Sequence, residues 1–260
     1  METVTPQGEH PLKLLERCGG YYECPRAANG RRLGPLVGYA GRYQDGSGRK
    51  LQYVGEIYAN FAMAERHGAV LKWVANGLLA HLAGYTEDSD SVSFGDIVGF
   101  CGAPEGGKAL ANALAIAFGK QYIFPEKEVT AVKTDSSREV SRLVFDRHEP
   151  HEGECWWIME DVCNNFSTTE AIIELINGFG ARVGGILCFL NRSMVAGKAY
   201  YSSLYAREIP VVSLVHMPIP QYQQDDPVVA QDVITGNVAW KPKNEWPRLA
   251  SAMAAAKEHL

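Results

Sequence analysis

The most constraining stretch of this chain is Cys155-Trp156-Trp157-Ile158-Met159, five apolar residues in a row that end on two adjacent carboxylates, Glu160 and Asp161. A strand that is apolar on both of its alternating faces needs cover on both sides, as a central strand of a parallel sheet has from flanking helices. Two neighbouring carboxylates at its end repel one another and need partners, so a purely structural role for them is costly. In an open parallel sheet, ligands sit beyond the carboxyl ends of the strands. The stretch therefore predicts an α/β fold and also the edge that carries a site.

The chain from Asp96 onward fits that frame, alternating short apolar runs with longer amphipathic ones. Residues 94–100 read as a strand, 101–107 as a turn-rich loop, 108–118 as an Ala/Leu-rich helix closed by Gly119, and 121–124 as a second strand. Between Glu126 and Gly153 the sequence turns polar, with Lys133, Thr134, Asp135, Ser136, Ser137 and Arg138 in succession, which predicts a loop or hairpin able to close over a site. After the strand at 155–159, Ile172, Leu175, Ile176 and Phe179 fall at helical spacing, so a helix is expected over 168–176, and strands over 182–190 and 209–215. The expectation is a mostly parallel sheet of about five strands. Residues 1–90, with one good helix near 60–82, read as a separate N-terminal cap or hood, 91–217 as the core, and 218–260 as an irregular wrap with a short helix.

Length and charge narrow the function classes. With 260 residues, 46% of them hydrophobic, the chain can bury one sizeable core and a smaller appendage. Twenty-five Lys and Arg against 30 Asp and Glu leave a net charge of -5, and no long basic run is available to track a phosphate backbone, which disfavours a nucleic-acid partner. No apolar stretch reaches bilayer length and the first residues lack a cleavable leader pattern, so the expectation is a cytoplasmic protein with no membrane partner. The six cysteines are scattered without metal-site spacing and read as reduced thiols. His148 and His151 flank Pro150 and suit a solvated loop, Asp225-Asp226 before Pro227 suits a turn, and Trp156-Trp157 suits core packing on two faces.

Two loops carry chemistry. In WWIMEDVCNNFSTTEAIIELI, from Trp156 to Ile176, the carboxylates are followed by Asn164, Asn165, Ser167, Thr168 and Thr169 at a helix start. Unpaired amides, a partial positive charge and hydroxyl donors at such a start accommodate a phosphate dianion, and the carboxylates accept hydrogen bonds from vicinal sugar hydroxyls. Ser167 or Thr168 would equally serve as a simple helix cap. The second loop, GAPEGG from Gly102 to Gly107, offers backbone amides unhindered by side chains, or else a tight turn for close helix–sheet packing.

WWIMEDVCNNFST resembles the phosphoribosyl pyrophosphate signature of type I phosphoribosyltransferases, with apolar residues, two acids, another apolar residue and a short phosphate loop. The run DIVGFCGAPEGGKALANALAIAFGKQYIFPEKE, followed by the signature and by ILCFLNRS, IPVVSL and VAWKPK, resembles orotate phosphoribosyltransferases over most of residues 90–245. The resemblance implies transfer of a phosphoribosyl group to a nucleobase, orotate first, in a homodimer, with Mg²⁺ held mainly by the sugar pyrophosphate. It implies that Glu160 and Asp161 bind the ribose hydroxyls and that Asn164, Asn165, Phe166, Ser167 and Thr168 hold the 5-phosphate. Glu105, Gly106 and Gly107 then match the pyrophosphate loop and Lys127 a basic position contacting pyrophosphate. Lys133, Arg138 and Arg142 lie in the segment that closes over the neighbouring subunit's site, and Lys127, Lys133 and Asp161 are the expected catalytic groups. Where the family loop usually carries glycine, this sequence has Phe166, which is strained if that position requires positive φ.

Overall fold

The computed structural model describes residues 8–87, 94–131 and 140–257. In chain order its elements are α1 (Pro11–Arg17), β1 (Tyr21–Glu23), β2 (Leu36–Gln44), β3 (Lys50–Gly55), β4 (Ile57–Ala59), α2 (Ala62–Glu65) and α3 (Gly68–Glu87). A short 3-10 turn leads to β5 (Ile97–Gly102), α4 (Gly107–Phe118), β6 (Gln121–Ile123), β7 (Glu126–Ala131), β8 (Val140–Val144) and β9 (Cys155–Cys163). Then come α5 (Ser167–Gly178), β10 (Arg182–Asn191), β11 (Ala199–Ser202), β12 (Arg207–His216), α6 (Ala230–Ile234), β13 (Val238–Ala239) and α7 (Trp246–Lys257). These fall into two compact units, residues 65–218 and residues 8–64 with 219–260.

The larger unit is a six-stranded sheet in the order β11-β12-β10-β9-β5-β6, parallel except for the edge strand β11. From β5 the chain passes through α4 to β6 on one side, and from β9 through α5 to β10 and β12 on the other. The direction of winding therefore reverses between β5 and β9, which leaves a crevice at their carboxyl ends. Both tryptophans of β9 are fully buried, as their alternation requires. Trp156 packs in a cluster with Ile172, Ile173 and Ile176 of α5, while Trp157 meets Tyr85 of α3 edge-on at 6.1 Å.

Three expectations are adjusted. β9 does not stop at Met159 but runs to Cys163, because its ladder with β10 continues through Cys188↔Glu160 and Asn191↔Cys163; the two carboxylates thus sit on regular strand backbone. The helix assigned to the N-terminal cap is realised as α2 and α3. α3 belongs to the sheet unit, since it buries Val70, Val74, Leu78 and Leu82 and lies so close to β12 that a Cβ on Gly77 would stand 2.9 Å from Leu214. The tail is more regular than a wrap. It joins residues 8–64 in the second unit, where β13 pairs parallel with β2 and Arg32 bridges to Asp232 at 2.9 Å. Tail residues Ala239 and Leu249 complete an apolar cluster with Tyr22 and Val37 that the short N-terminal strands do not close alone.

The polar segment after β6 is a hairpin, β7 against β8, in which Lys127 stands opposite Leu143. Lys133 and Arg138 lie outside the described residues. All six cysteines are free thiols and buried. No helix among the described residues is long and apolar enough to cross a membrane.

Candidate active site

At the reversal point, β5 hands the chain to α4 through Gly102-Ala103-Pro104-Glu105-Gly106. The Ala103 amide donates to the Met159 carbonyl of β9 at 2.9 Å, and the Gly107 amide to Ala103 at 2.9 Å, so the loop is stitched onto the neighbouring strand. Glycine is needed here for two different reasons. A Cβ on Gly107 would collide with the Met159 carbonyl, and one on Gly106 would collide with the Asp161 carboxylate. The two glycines read from the sequence as an anion-loop candidate therefore permit the loop backbone to approach the acidic pair.

Glu160 and Asp161 are only partly exposed, and burial shapes their chemistry. Burial first, and the Asp161 charge second, push the Glu160 carboxyl up to about 8, against a weaker opposing pull from Lys127. Burial likewise raises Asp161, opposed by the Val162 amide that donates to its Oδ1 at 2.8 Å. Two like charges in a low-dielectric crevice favour holding a proton until a cation or a hydrogen-bond donor arrives. This is an acceptor pair suited to hydroxyls and to a divalent ion. Lys127, exposed on β7, is close enough to act on Glu160 electrostatically.

The segment after β9 turns sharply into α5. Phe166, immediately before the helix, adopts φ 57 and ψ 14, the left-handed region that the sequence made a question. A β-carbon there costs roughly 1–2 kcal/mol. The ring offsets this cost, being 3% exposed and stacked on Tyr200 with centroids 4.7 Å apart and planes at 16°. Asn165 Oδ1 accepts from the Ser167 amide at 3.2 Å and from the Ser167 hydroxyl at 3.0 Å, so Asn165 caps the helix itself. Phosphate-binding capacity then rests on the amides of Thr168 and Thr169, which a helix start leaves open. Glu170 accepts from the Ser202 hydroxyl and the Ser203 amide, each at 3.1 Å, tying α5 to the β11–β12 turn beyond Tyr200.

The other expected residues separate. Glu105 is exposed and paired with Lys108 at 3.0 Å, while Arg142 is paired with Glu128 at 2.6 Å rather than with the acidic pair. Lys133 lies outside the described residues. Sequence reasoning missed two groups. Arg192, a buried cation at 7% exposure, follows β10 directly, its backbone amide donating to the Cys163 carbonyl at the end of β9 at 2.9 Å. Tyr200 sits far along the chain and had no signal beyond an aromatic in an edge strand. Among the described residues no cluster of three or more His, Cys, Asp or Glu could enclose a metal ion. The two carboxylates offer hard oxygen donors of the kind Mg²⁺ prefers.

Compared with models of protein families and with curated proteins, the chain matches none. Solved structures give similarities. An orotate phosphoribosyltransferase from Aeropyrum pernix is 18% identical with a TM-score of 0.47, covering 79% of this chain and 92% of that one. The orotate phosphoribosyltransferase of Mycobacterium tuberculosis H37Rv, in complex with inorganic phosphate, is 16% identical with a TM-score of 0.44, over 80% and 94%. An adenine phosphoribosyltransferase from Saccharomyces cerevisiae is 13% identical with a TM-score of 0.46, over 70% and 94%.

Proposed function

We propose that this chain is a type I phosphoribosyltransferase that transfers the 5-phosphoribosyl group from phosphoribosyl pyrophosphate to a nucleobase, with orotate as the favoured acceptor. The observation that carries the reading is the junction of Gly106 with the Asp161 carboxylate at the reversal point of the sheet, one strand end from a helix start suited to phosphate. In this reading Glu160 and Asp161 accept hydrogen bonds from the ribose hydroxyls, and the Thr168 and Thr169 amides hold the 5-phosphate. The glycine-loop amides and Lys127 take charge that develops on the leaving pyrophosphate. The bond from C1 of the ribose to pyrophosphate oxygen breaks with oxocarbenium character, the ring nitrogen of the base forms the new bond to C1, and the proton that nitrogen loses passes to water or to the departing pyrophosphate. Mg²⁺, bound by the pyrophosphate with Glu160 and Asp161 as protein donors, would supply charge neutralisation.

Orotate is favoured on the resemblance carried by residues 90–245. The reading carries with it a homodimer in which the segment holding Lys133 serves the partner's site. The decisive experiment is product formation from phosphoribosyl pyrophosphate and Mg²⁺ with orotate, adenine, guanine, hypoxanthine, xanthine and uracil in parallel. Turnover with orotate and with none of the other bases supports the full reading. Turnover with a purine alone moves the specificity, and no turnover in a folded protein refutes the enzyme.

Phe166 favours a second reading. With the left-handed position filled by a buried ring, the chain would bind phosphoribosyl ligands without transferring the group. Thermal stabilisation by ribose 5-phosphate without turnover is the outcome specific to it.

A further inference from the structure

At the opposite end of the same sheet, about 20 Å from the acidic pair by strand length, a pocket of about 210 Å³ opens beside α3. Its walls include Tyr85, Arg182, Gly184, Lys198, Arg207 and Glu208. The fold creates the cluster, since Arg182 opens β10, Arg207 opens the parallel neighbour β12, and Lys198 precedes β11, its carbonyl bonded to Val211 at 2.8 Å. Three cations face one carboxylate. Among the described residues none of the three takes part in an ion pair. Arg207 leans over the Tyr205 ring at 5.2 Å, and both arginines act electrostatically on the buried Cys155 thiol, as does Asp96 with opposite sign.

The floor supplies an independent observation. Gly184 has no side chain, and a Cβ there would stand 2.7 Å from both Cys155 Sγ and Trp157 Nε1. The Trp157 indole therefore packs directly beneath Gly184; its ring is fully buried and its Nε1 has no hydrogen-bond partner. A buried donor without an acceptor costs about 1–3 kcal/mol, and native proteins usually provide the acceptor. Beside the pocket, and sharing Tyr85 and Lys198 with it, runs a groove of about 500 Å³ lined by His81, Val211, Val212 and His216. Its character is apolar and aromatic where the first pocket is cationic.

We propose that these two cavities form a second ligand site, distinct from the acidic pair, that takes a nucleoside monophosphate: the phosphate on Arg182, Lys198 and Arg207 above the Trp157 N–H, the base along Tyr85 and His81. Guanidinium pairs suit phosphate oxygens by geometry as well as charge, and a flat base gains from an aromatic wall beside aliphatic side chains. The site does not depend on what reaction, if any, the acidic pair performs.

The test follows the indole N–H resonances of the ¹⁵N-labelled full chain while UMP, AMP or inorganic phosphate is added to millimolar concentration, with Trp157→Phe assigning the Trp157 signal. The Trp157 signal is expected to move with either nucleotide in the wild type and in Asp161→Asn. In Arg182→Ala/Arg207→Ala the dissociation constant is expected to rise roughly tenfold or more. Both arginines are exposed, so that variant keeps the core intact, and thermal stabilisation by the same probes gives a parallel readout if Trp157→Phe does not fold. A Trp157 signal that no probe moves, or a double variant that titrates like the wild type, overturns the proposal. Inorganic phosphate binding as tightly as the nucleotides overturns the assignment of the groove to a base.

Discussion

Glu160→Gln tests the electrostatics of the acidic pair without assuming a substrate. Burial and the Asp161 charge lift the Glu160 carboxyl from its ordinary 4.5 to about 8, so the folded protein holds a proton there that the unfolded chain releases. Stability contributed by that proton is fully present below about pH 4.5 and is lost as pH rises through about 8. Fully expressed, the shift is worth about 5 kcal/mol; partial exposure and coupling to Asp161 reduce it to roughly 3 kcal/mol. Gln is neutral at every pH and nearly the same shape. The variant is therefore expected to match the wild type near about pH 5 and to exceed it by roughly 3 kcal/mol near about pH 9. Urea unfolding at the two pH values, followed by tryptophan emission, measures the difference. Equal wild-type and variant stabilities at the higher pH would refute the argument, because they would mean that the carboxylate is solvated well enough to carry its charge without cost. A gain in stability together with a loss of turnover would mark Glu160 as a residue kept for chemistry at the expense of the fold.

Three further outcomes follow from the same geometry. If ionised Glu160 is required, kcat/KM for phosphoribosyl pyrophosphate should fall about tenfold per pH unit below about 8, and a limb near 4.5 in the pH profile would refute the raised carboxyl. Tyr200→Ala removes a stack worth about 0.5–1.5 kcal/mol from a residue in the left-handed region, and should raise KM for phosphoribosyl pyrophosphate roughly three- to tenfold with a smaller change in kcat. Tyr200→Phe should restore the wild-type value, and failure of that rescue would mean the ring does not hold the loop. Gly107→Ala drives a Cβ into the Met159 carbonyl and should cost about 3 kcal/mol in urea unfolding, whereas Gly106→Ala displaces the Asp161 carboxylate and should lower turnover about tenfold with stability nearly unchanged. The reverse pattern would reassign the two glycines.

The sequence by itself determined the layered α/β architecture, the apolar central strand, the acidic pair on it and the glycine loop. Each rests on local rules: alternation along a strand, helical spacing in α5, and the small set of residues that can turn a chain tightly. Only tertiary structure decided where β9 ends, since its length is set by the hydrogen-bond ladder with β10 and not by its own composition. The same holds for α3, which is amphipathic in sequence but declares its unit only by packing on β12. Phe166 shows the division most clearly. The sequence exposes a residue where glycine would be easier; the ring of Tyr200, 34 positions away, decides that the strained conformation is held, because a buried stack offsets what the backbone loses. The Arg182–Lys198–Arg207 cluster escaped reading for the same reason. Charges scattered along a chain become a site only when parallel strands bring their ends to one edge.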